Sequence, residues 1–420
     1  MSSKTKQIDG KGLAFDKRQK KLLSILMIGI FFEGFDDALI NIALPYITTD
    51  FGLSDQQAGF SLSIVGLGTM FAFFFVRLAD SKGRRPVFLL SVVAYTICSF
   101  ITAFSPSIQF LIFWQFIARI FLISAWSLGY VIVSEEFESQ SRGKVSSILQ
   151  SSAVAATLIL SMLLPVFSML GWNWRAMYIV GALPLIPVII FHKWLPETEQ
   201  FLQVKKEGRK AKQNKDEFFA VWQKKYRKKL IAMAIIWVFL YFGLKGSVNF
   251  FSLHVVNDLG WTSGMLSAAL IIQTLVGVAI MGFNGRLLDK IGRKKGAMFI
   301  IVMGALTAST LFIVNQYVIV IIMGCLAMGF TNSFLIVAST ITNELFPTEV
   351  RANAMAWANN IIGRMGQVIV PSVVGLLSVY LGLRYAVVVV VLLPLIAAAL
   401  IWFYIPETKI EGKLSSAVNK

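Results

Sequence analysis

Apolar residues fall in twelve long runs, at about 22–48, 57–76, 87–104, 108–134, 145–170, 176–192, 230–256, 263–284, 297–314, 317–343, 352–381 and 385–404. A hydrocarbon core about 30 Å thick is crossed by roughly 20 apolar residues of helix, so every run is long enough to span it or nearly so. Polar and apolar positions do not alternate within the runs, which excludes the strands of a closed barrel and leaves helix as the spanning structure. The pattern predicts an all-α membrane protein of twelve transmembrane helices, with one long polar interruption at 195–229.

Composition agrees with this reading: 56% of the 420 residues are apolar and only 15% are charged, which excludes a soluble globular protein. The net charge of +17 would suggest nucleic acid in a soluble chain. With both termini on one side, however, 34 of the 39 Lys and Arg fall in the tails and alternate loops of that side. Two, Arg175 and Arg384, fall opposite, and three lie within spans. This is the positive-inside distribution, so the termini are expected in the cytoplasm and no nucleic-acid partner is needed. The basic stretch from Lys205 to Lys229 reads as a solvated loop able to touch anionic lipid. Because the first 21 residues are polar and basic, the first span is expected to serve as its own insertion signal. Cys98 and Cys325 sit mid-span without a pairing pattern, so no disulfide, metal or cofactor is expected.

The chain repeats itself. Arg77-Leu78-Ala79-Asp80-Ser81-Lys82-Gly83-Arg84-Arg85 recurs as Arg286-Leu287-Leu288-Asp289-Lys290-Ile291-Gly292-Arg293-Lys294, an offset of 209 residues. Glu135 and Arg142 match Glu344 and Arg351, and Arg175 matches Arg384, at the same offset, while Pro196-Glu197-Thr198 matches Pro406-Glu407-Thr408 at 210. Six spans precede each Pro-Glu-Thr, so the copies run parallel about an axis along the membrane normal. The expected organisation is a tail at 1–21, a six-helix bundle at 22–194, a cytoplasmic linker at 195–229, a second six-helix bundle at 230–404 and a tail at 405–420.

These motifs resemble the major facilitator superfamily over nearly the whole chain. The segment from Arg77 to Arg85 resembles the family's loop motif Gly-x-Leu-x-Asp-x-x-Gly-Arg-Arg, with Val76, just before Arg77, in place of the first Gly; Gly285 keeps that Gly in the second copy. The Glu/Arg pairs and Pro-Glu-Thr ends are similar to sugar-porter and metabolite-symporter signatures. Glu33-Gly34-Phe35-Asp36 resembles the Asp-Gly-Tyr/Phe-Asp opening of organic-acid and metabolite:proton symporters, with Glu33 replacing the usual Asp. Trp237 and Leu240-Tyr241-Phe242-Gly243, after a basic loop, point to the same branch, including niacin-type carriers. The resemblance implies the twelve-helix fold of two pseudo-symmetric bundles and transport by alternating access. It also implies a cytoplasmic gate built from Asp80, Arg84, Arg85, Glu135 and Arg142 and repeated by Asp289, Arg293, Glu344 and Arg351, holding that side shut in the outward-open state.

Six ionisable residues lie inside spans: Glu33, Asp36 and Asp37 in the first, Arg119 in the fourth, Lys245 in the seventh and Arg364 in the eleventh. A charge at mid-bilayer costs at least ~2.5–3.5 kcal/mol on insertion scales, so all six are expected to face a wet interior. Helical spacing groups Glu33, Asp36, Asp37 and Asn41; Arg119, Trp126 and Tyr130; Tyr241, Lys245, Asn249 and Ser252; and Asn360, Arg364 and Gln367. Asp36 and Lys245 are 209 apart, so the repeat sets an acid opposite a base. Spans 3, 6, 9 and 12 carry no internal charge and are expected to face lipid. Glu33 is a candidate partner for Arg119, and His254 reads as interfacial, with His192 similar at the opposite edge.

The leading expectation is a proton-coupled symporter bringing a small organic anion, such as a carboxylate metabolite, into the cell by alternating access. Asp36, Glu33, Asp37 and Arg119 are the candidate proton-coupling set. Arg364 and Lys245 are the candidate anion contacts, with Tyr241, Asn249, Trp126, Tyr130, Asn360 and Gln367 around them. Gln150, Gln273 and Asn332 read instead as interhelical bonds. The expected partners are the bilayer, the substrate and protons, with the chain acting as a monomer in the inner or plasma membrane. Proton-antiport efflux of a drug, siderophore or metabolite is the alternative; a non-transporting sensor is a further one, disfavoured by tails of about 21 and 16 residues. No constellation for an enzyme is present.

Overall fold

A computed structural model describes residues 15–183, 186, 190, 195, 197–206 and 218–408. His192, Pro184, Pro196 and much of the basic linker lie outside the described residues, as do the outer parts of both tails. The described chain is helical throughout. Its first six long or spanning-segment helices, as far as they are described, are α1 (Lys17–Phe51), α2 (Asp55–Lys82), α3 (Arg84–Thr102), α4 (Ile108–Glu136), α5 (Ser139–Met169) and α6 (Trp174–Gly181). A short helix, Glu199–Lys206, follows. The second set is α7 (Lys224–Leu253), α8 (Ser263–Ile291), α9 (Arg293–Ile313) and α10 (Tyr317–Leu345). After these come Thr348–Met355, a π-helical stretch Ala356–Gly363, and Arg364–Leu392, which breaks at Gly382 (φ 74°, ψ 161°). The part before the break is α11; the part beyond it, continued by Pro394–Tyr404, is α12.

Local sequence sets the helix ends. Asp16 caps α1 through a capping box with Gln19, which is why helix starts at Lys17 within residues read from sequence as a polar tail. Ser54 and Gln57 cap α2 in the same way, and Gly52 ends α1 in the left-handed region at φ 61°. Gly83 and Gly292, the matching glycines of the repeated loop, take φ of 103° and 96°, conformations that strain any side chain. Outward faces are apolar, as lipid requires: Phe74, Phe104 and Phe403 are among the exposed large side chains.

Packing is asymmetric along the membrane normal. At the end opposite the tails a single apolar core is shared by both halves, with Phe35, Leu44 and Leu164 packed in the same cluster as Phe250, Leu266 and Val370. At the tail end there are two separate cores. One holds Leu22, Val87 and Phe137 of the first half, the other Leu230, Leu288 and Ile341 of the second. Hydrogen bonds follow the same division. Ser372 N donates to Ser63 Oγ at 2.9 Å and Ser267 Oγ to the Ser161 carbonyl at 2.6 Å, both away from the tails. Gly59 lets α2 and α11 close there, since a Cβ on it would stand 2.2 Å from the Pro371 carbonyl oxygen.

Candidate functional site

Between the halves lies a cavity of about 420 Å³. Its wall is built by α1, α2, α4 and α5 from one half and α7, α8, α10 and α11 from the other, with Leu311 of α9 reaching in. That one contact departs from the expectation that the ninth span only faces lipid. Glu33, Asp37, Arg119, Trp126, Tyr241, Lys245, Asn249, Arg364 and Gln367 all line it.

Three expected members do not. Glu33, Asp37 and Asn41 are spaced by four and form the true stripe of α1; Asp36 sits about 100° around the helix from Asp37. Its carboxylate, 4% exposed, turns to α3 and accepts a hydrogen bond from Ser99 Oγ. The sequence equivalence of Asp36 and Lys245 is therefore not an equivalence of position around the cavity. Tyr130 packs at a tilt against Trp126 with ring centroids 5.1 Å apart and donates to Gln150 Oε1 at 3.2 Å, outside the lining. Asn360 lies in the π-helical stretch, where the altered helical register takes it off the lining stripe. Its neighbour Asn359 instead accepts a 2.9 Å bond from Tyr241 Oη.

The ion pairing also differs from expectation. Arg119 pairs with Asp37, not with Glu33. Glu33 is 6% exposed and forms no ion pair or hydrogen bond among the described residues. Lys245 and Arg364 have no carboxylate in contact there. The cavity thus holds one closed ion pair, one unpaired acid on the first half and two cations without carboxylate partners on the second. Gln150, Gln273 and Asn332, read from sequence as interhelical ties, line it as well. No sequence signal separated them from other mid-span amides.

At the tail end the repeated motif forms two similar clusters. Arg84 Nε donates to Glu135 Oε1 at 2.9 Å and its Nη2 stands 3.1 Å from Asp80 Oδ1. Arg293 Nη2 reaches Glu344 Oε1 and its Nη1 reaches Asp289 Oδ1, each at 2.6 Å. Arg142 and Arg351 donate through Nε to the Phe137 and Phe346 carbonyls at 2.8 and 3.3 Å, holding the turns after α4 and α10. One role was not foreseen. Glu197 Oε1 accepts from the backbone N–H of Arg84 and Arg85 at 3.0 and 3.1 Å, and Glu407 accepts from Arg293 and Lys294 at 2.8 and 3.0 Å. Each Pro-Glu-Thr carboxylate caps the start of α3 or α9, where the helix dipole favours negative charge. The ion pairs of Arg84 with Asp80 and Glu135, and of Arg293 with Asp289 and Glu344, each lie within one half.

His254, expected at the interface, is fully buried at the outer end of α7, with Nδ1 2.7 Å from Asp258 Oδ2 and the ring against Phe312. Cys98 and Cys325 are free and buried.

The sequence model described as "Major Facilitator Superfamily" matches residues 26–253 and 238–420. The sialic acid transporter NanX of Escherichia coli is 25% identical over 386 residues, covering 89% of this chain and 90% of that protein. The niacin transporter NiaP of Acinetobacter baylyi is 23% identical, covering 86% and 88%, and the cis,cis-muconate transport protein of the same organism is 25% identical, covering 84% and 86%. Among solved structures, a bacterial homologue of the human lysosomal transporter Spinster superposes with a TM-score of 0.77 at 16% identity, covering 96% of this chain and 100% of that one. The D-xylose-proton symporter superposes at 0.72 and 18%, covering 93% and 98%. These two likenesses concern the fold.

Proposed function

Because the chain belongs to the major facilitator superfamily, a family of transporters and not enzymes, we propose that it carries a small organic acid across the cell inner membrane together with protons. The observation behind this reading is the division of charge in the cavity. Arg364 and Lys245 line one half without carboxylate partners, facing Glu33 and the Asp37–Arg119 pair on the other. A guanidinium binds a carboxylate through two parallel bonds and an ammonium adds a point charge, so the second half suits an anionic group. Glu33, buried and unpaired, is the acid assigned to proton exchange; Asp37 and Arg119 set its electrostatic surroundings. Asp36, tied to Ser99, positions α1 against α3. Sialic acid, niacin and cis,cis-muconate, named for three relatives, are all carboxylic acids.

The proposed cycle runs between the arrangement here, joined at the end opposite the tails, and its converse. With both termini cytoplasmic, this arrangement faces inward. Two bundles at 22–194 and 230–404, linked by 195–229, rock about the cavity. In the converse state the Asp80 and Asp289 clusters, now internal to each half, come together as the cytoplasmic gate. One chain contains the whole cavity, so the working unit is a monomer.

Uptake into proteoliposomes tests this. An inward proton gradient should drive accumulation of a carboxylate by the wild type, Arg364→Ala should abolish binding, and Glu33→Gln should lose accumulation while keeping substrate exchange. Gradient-independent accumulation removes the proton claim; export driven by an inward proton gradient reverses the direction to antiport.

A further inference from the structure

The two walls of the cavity differ in how most of their uncharged amides are used, Asn332 apart, whose Nδ2 donates to the Met328 carbonyl at 2.8 Å. On the first half Arg119 is bound to Asp37, Asn41 Nδ2 donates to the Asp37 carbonyl at 3.0 Å, and Gln150 Oε1 accepts from Tyr130. These groups already have partners in the protein. On the second half, Asn249 and Gln367 make no side-chain hydrogen bond among the described residues. Gln273 is 6% exposed and its Nε2 is buried with no partner. That amide nestles against Gly324, where even a Cβ would stand 2.1 Å from Nε2, so its side chain is confined to the wall. Unfilled amides thus accompany Lys245 and Arg364, with Lys245 and Asn249 one helical turn apart on α7, and Arg364 and Gln367 three residues apart on α11.

Alternating access passes through a state closed at both ends, in which bulk water no longer reaches the wall. An amide left without a partner then carries its full desolvation cost, so occlusion favours a ligand that supplies hydrogen-bonding groups beside its carboxylate. An aromatic or aliphatic acid satisfies the two cations and leaves the amides empty.

We infer that the substrate is a polyhydroxylated monocarboxylate, a sugar acid, whose carboxylate meets Arg364 and Lys245 and whose hydroxyls meet Asn249, Gln273 and Gln367. This rests on the carboxylate-carrier reading above and narrows it. Sites that hydrogen-bond a substrate hydroxyl reject analogues lacking it far more strongly than apolar pockets reject an added one. The expected discrimination is therefore about tenfold or more in affinity between matched acids with and without hydroxyls.

The test is binding to the purified full chain by tryptophan fluorescence and thermal shift, followed by uptake. The probes are glucuronate, gluconate and 2-keto-3-deoxygluconate against cyclohexanecarboxylate and benzoate, with glucose as the neutral control. At least one hydroxylated acid should bind about tenfold or more tighter than both acids without hydroxyls, with glucose failing to compete. Asn249→Leu with Gln367→Leu should weaken hydroxylated acids about tenfold and change the others less than about twofold. Equal or tighter binding of benzoate or cyclohexanecarboxylate overturns the sugar-acid assignment but leaves the carboxylate reading standing; so does a double variant that weakens all acids alike. Binding of glucose without any acid overturns both. Absence of binding by every hydroxylated acid overturns the assignment, and the wild-type selectivity ratio decides the question even if the double variant does not fold.

Discussion

Removing Arg119 and Asp37 together should harm the protein less than the sum of removing each alone. The pair lines the cavity with side chains 13% and 38% exposed respectively. Two unit charges about 4 Å apart attract by ~4 kcal/mol at an effective dielectric of 20. The water reaching Asp37 reduces this toward the ~0.2–1 kcal/mol of exposed pairs, so a coupling of about 1–3 kcal/mol is expected. Arg119→Ala also leaves Asp37 and Glu33 on one wall of α1 without a neighbouring guanidinium, and that uncompensated charge is the larger part of the penalty. Unfolding by denaturant in mixed micelles, applied to Arg119→Ala, Asp37→Ala and the double variant, completes the cycle. The double variant should recover about 1–3 kcal/mol relative to the sum of the singles. Penalties that add within ~0.5 kcal/mol would show that the two side chains act independently and would refute the pairing as the organiser of this wall.

Other consequences follow from the two ends of the molecule. Gly83→Ala should destabilise by about 1–3 kcal/mol, since φ is 103° there and the new methyl would stand 2.2 Å from Glu197 Oε2; unfolding in mixed micelles reads this, and an unchanged midpoint would refute it. Glu197→Ala should cost about 0.5–2 kcal/mol by uncapping α3, with Glu197→Gln costing less because a side-chain acceptor remains. At the outer face, hydrogen bonding from Arg175 holds the Asp50 carboxyl below the usual aspartate range. A lowered carboxyl contributes stability that is present above its unfolded-state value and is lost as pH falls through the folded one. Asp50→Asn should therefore flatten the acid side of the stability profile and leave the neutral side parallel to wild type. Arg364→Lys should keep anion binding with a raised KM, whereas Arg364→Ala should lose it; equal behaviour of the two variants would argue against a two-point carboxylate contact.

The fold was legible because two kinds of repetition coincide in this sequence: apolar runs of membrane length, and loop motifs 209 residues apart. Charges inside spans marked α1, α4, α7 and α11 as cavity helices, since lipid tolerates none of them cheaply. What the sequence left open was direction at the scale of a single helical position. Asp36 and Asp37 are neighbours in sequence, and only packing against α3 decides that one meets Ser99 while the other meets Arg119. Asn360 escaped for a related reason: periodicity arguments assume regular helix, and the π-helical stretch at Ala356–Gly363 breaks that assumption. The capping by Glu197 and Glu407 went unseen because it joins residues more than a hundred positions apart. His254 stands near the outer end of its span as expected, but distance from the end of a span does not reveal what covers a side chain; here Phe312 does.

The central claim is that one cavity takes both the proton and the anion. A pH electrode outside lightly buffered, de-energised proteoliposomes tests it directly when a transported acid, supplied as its fully ionised salt, is added. The account predicts alkalinisation that accompanies uptake in the wild type and disappears in Glu33→Gln while substrate exchange persists. Uptake of the acid without any proton movement, or unchanged proton movement in Glu33→Gln, would contradict it.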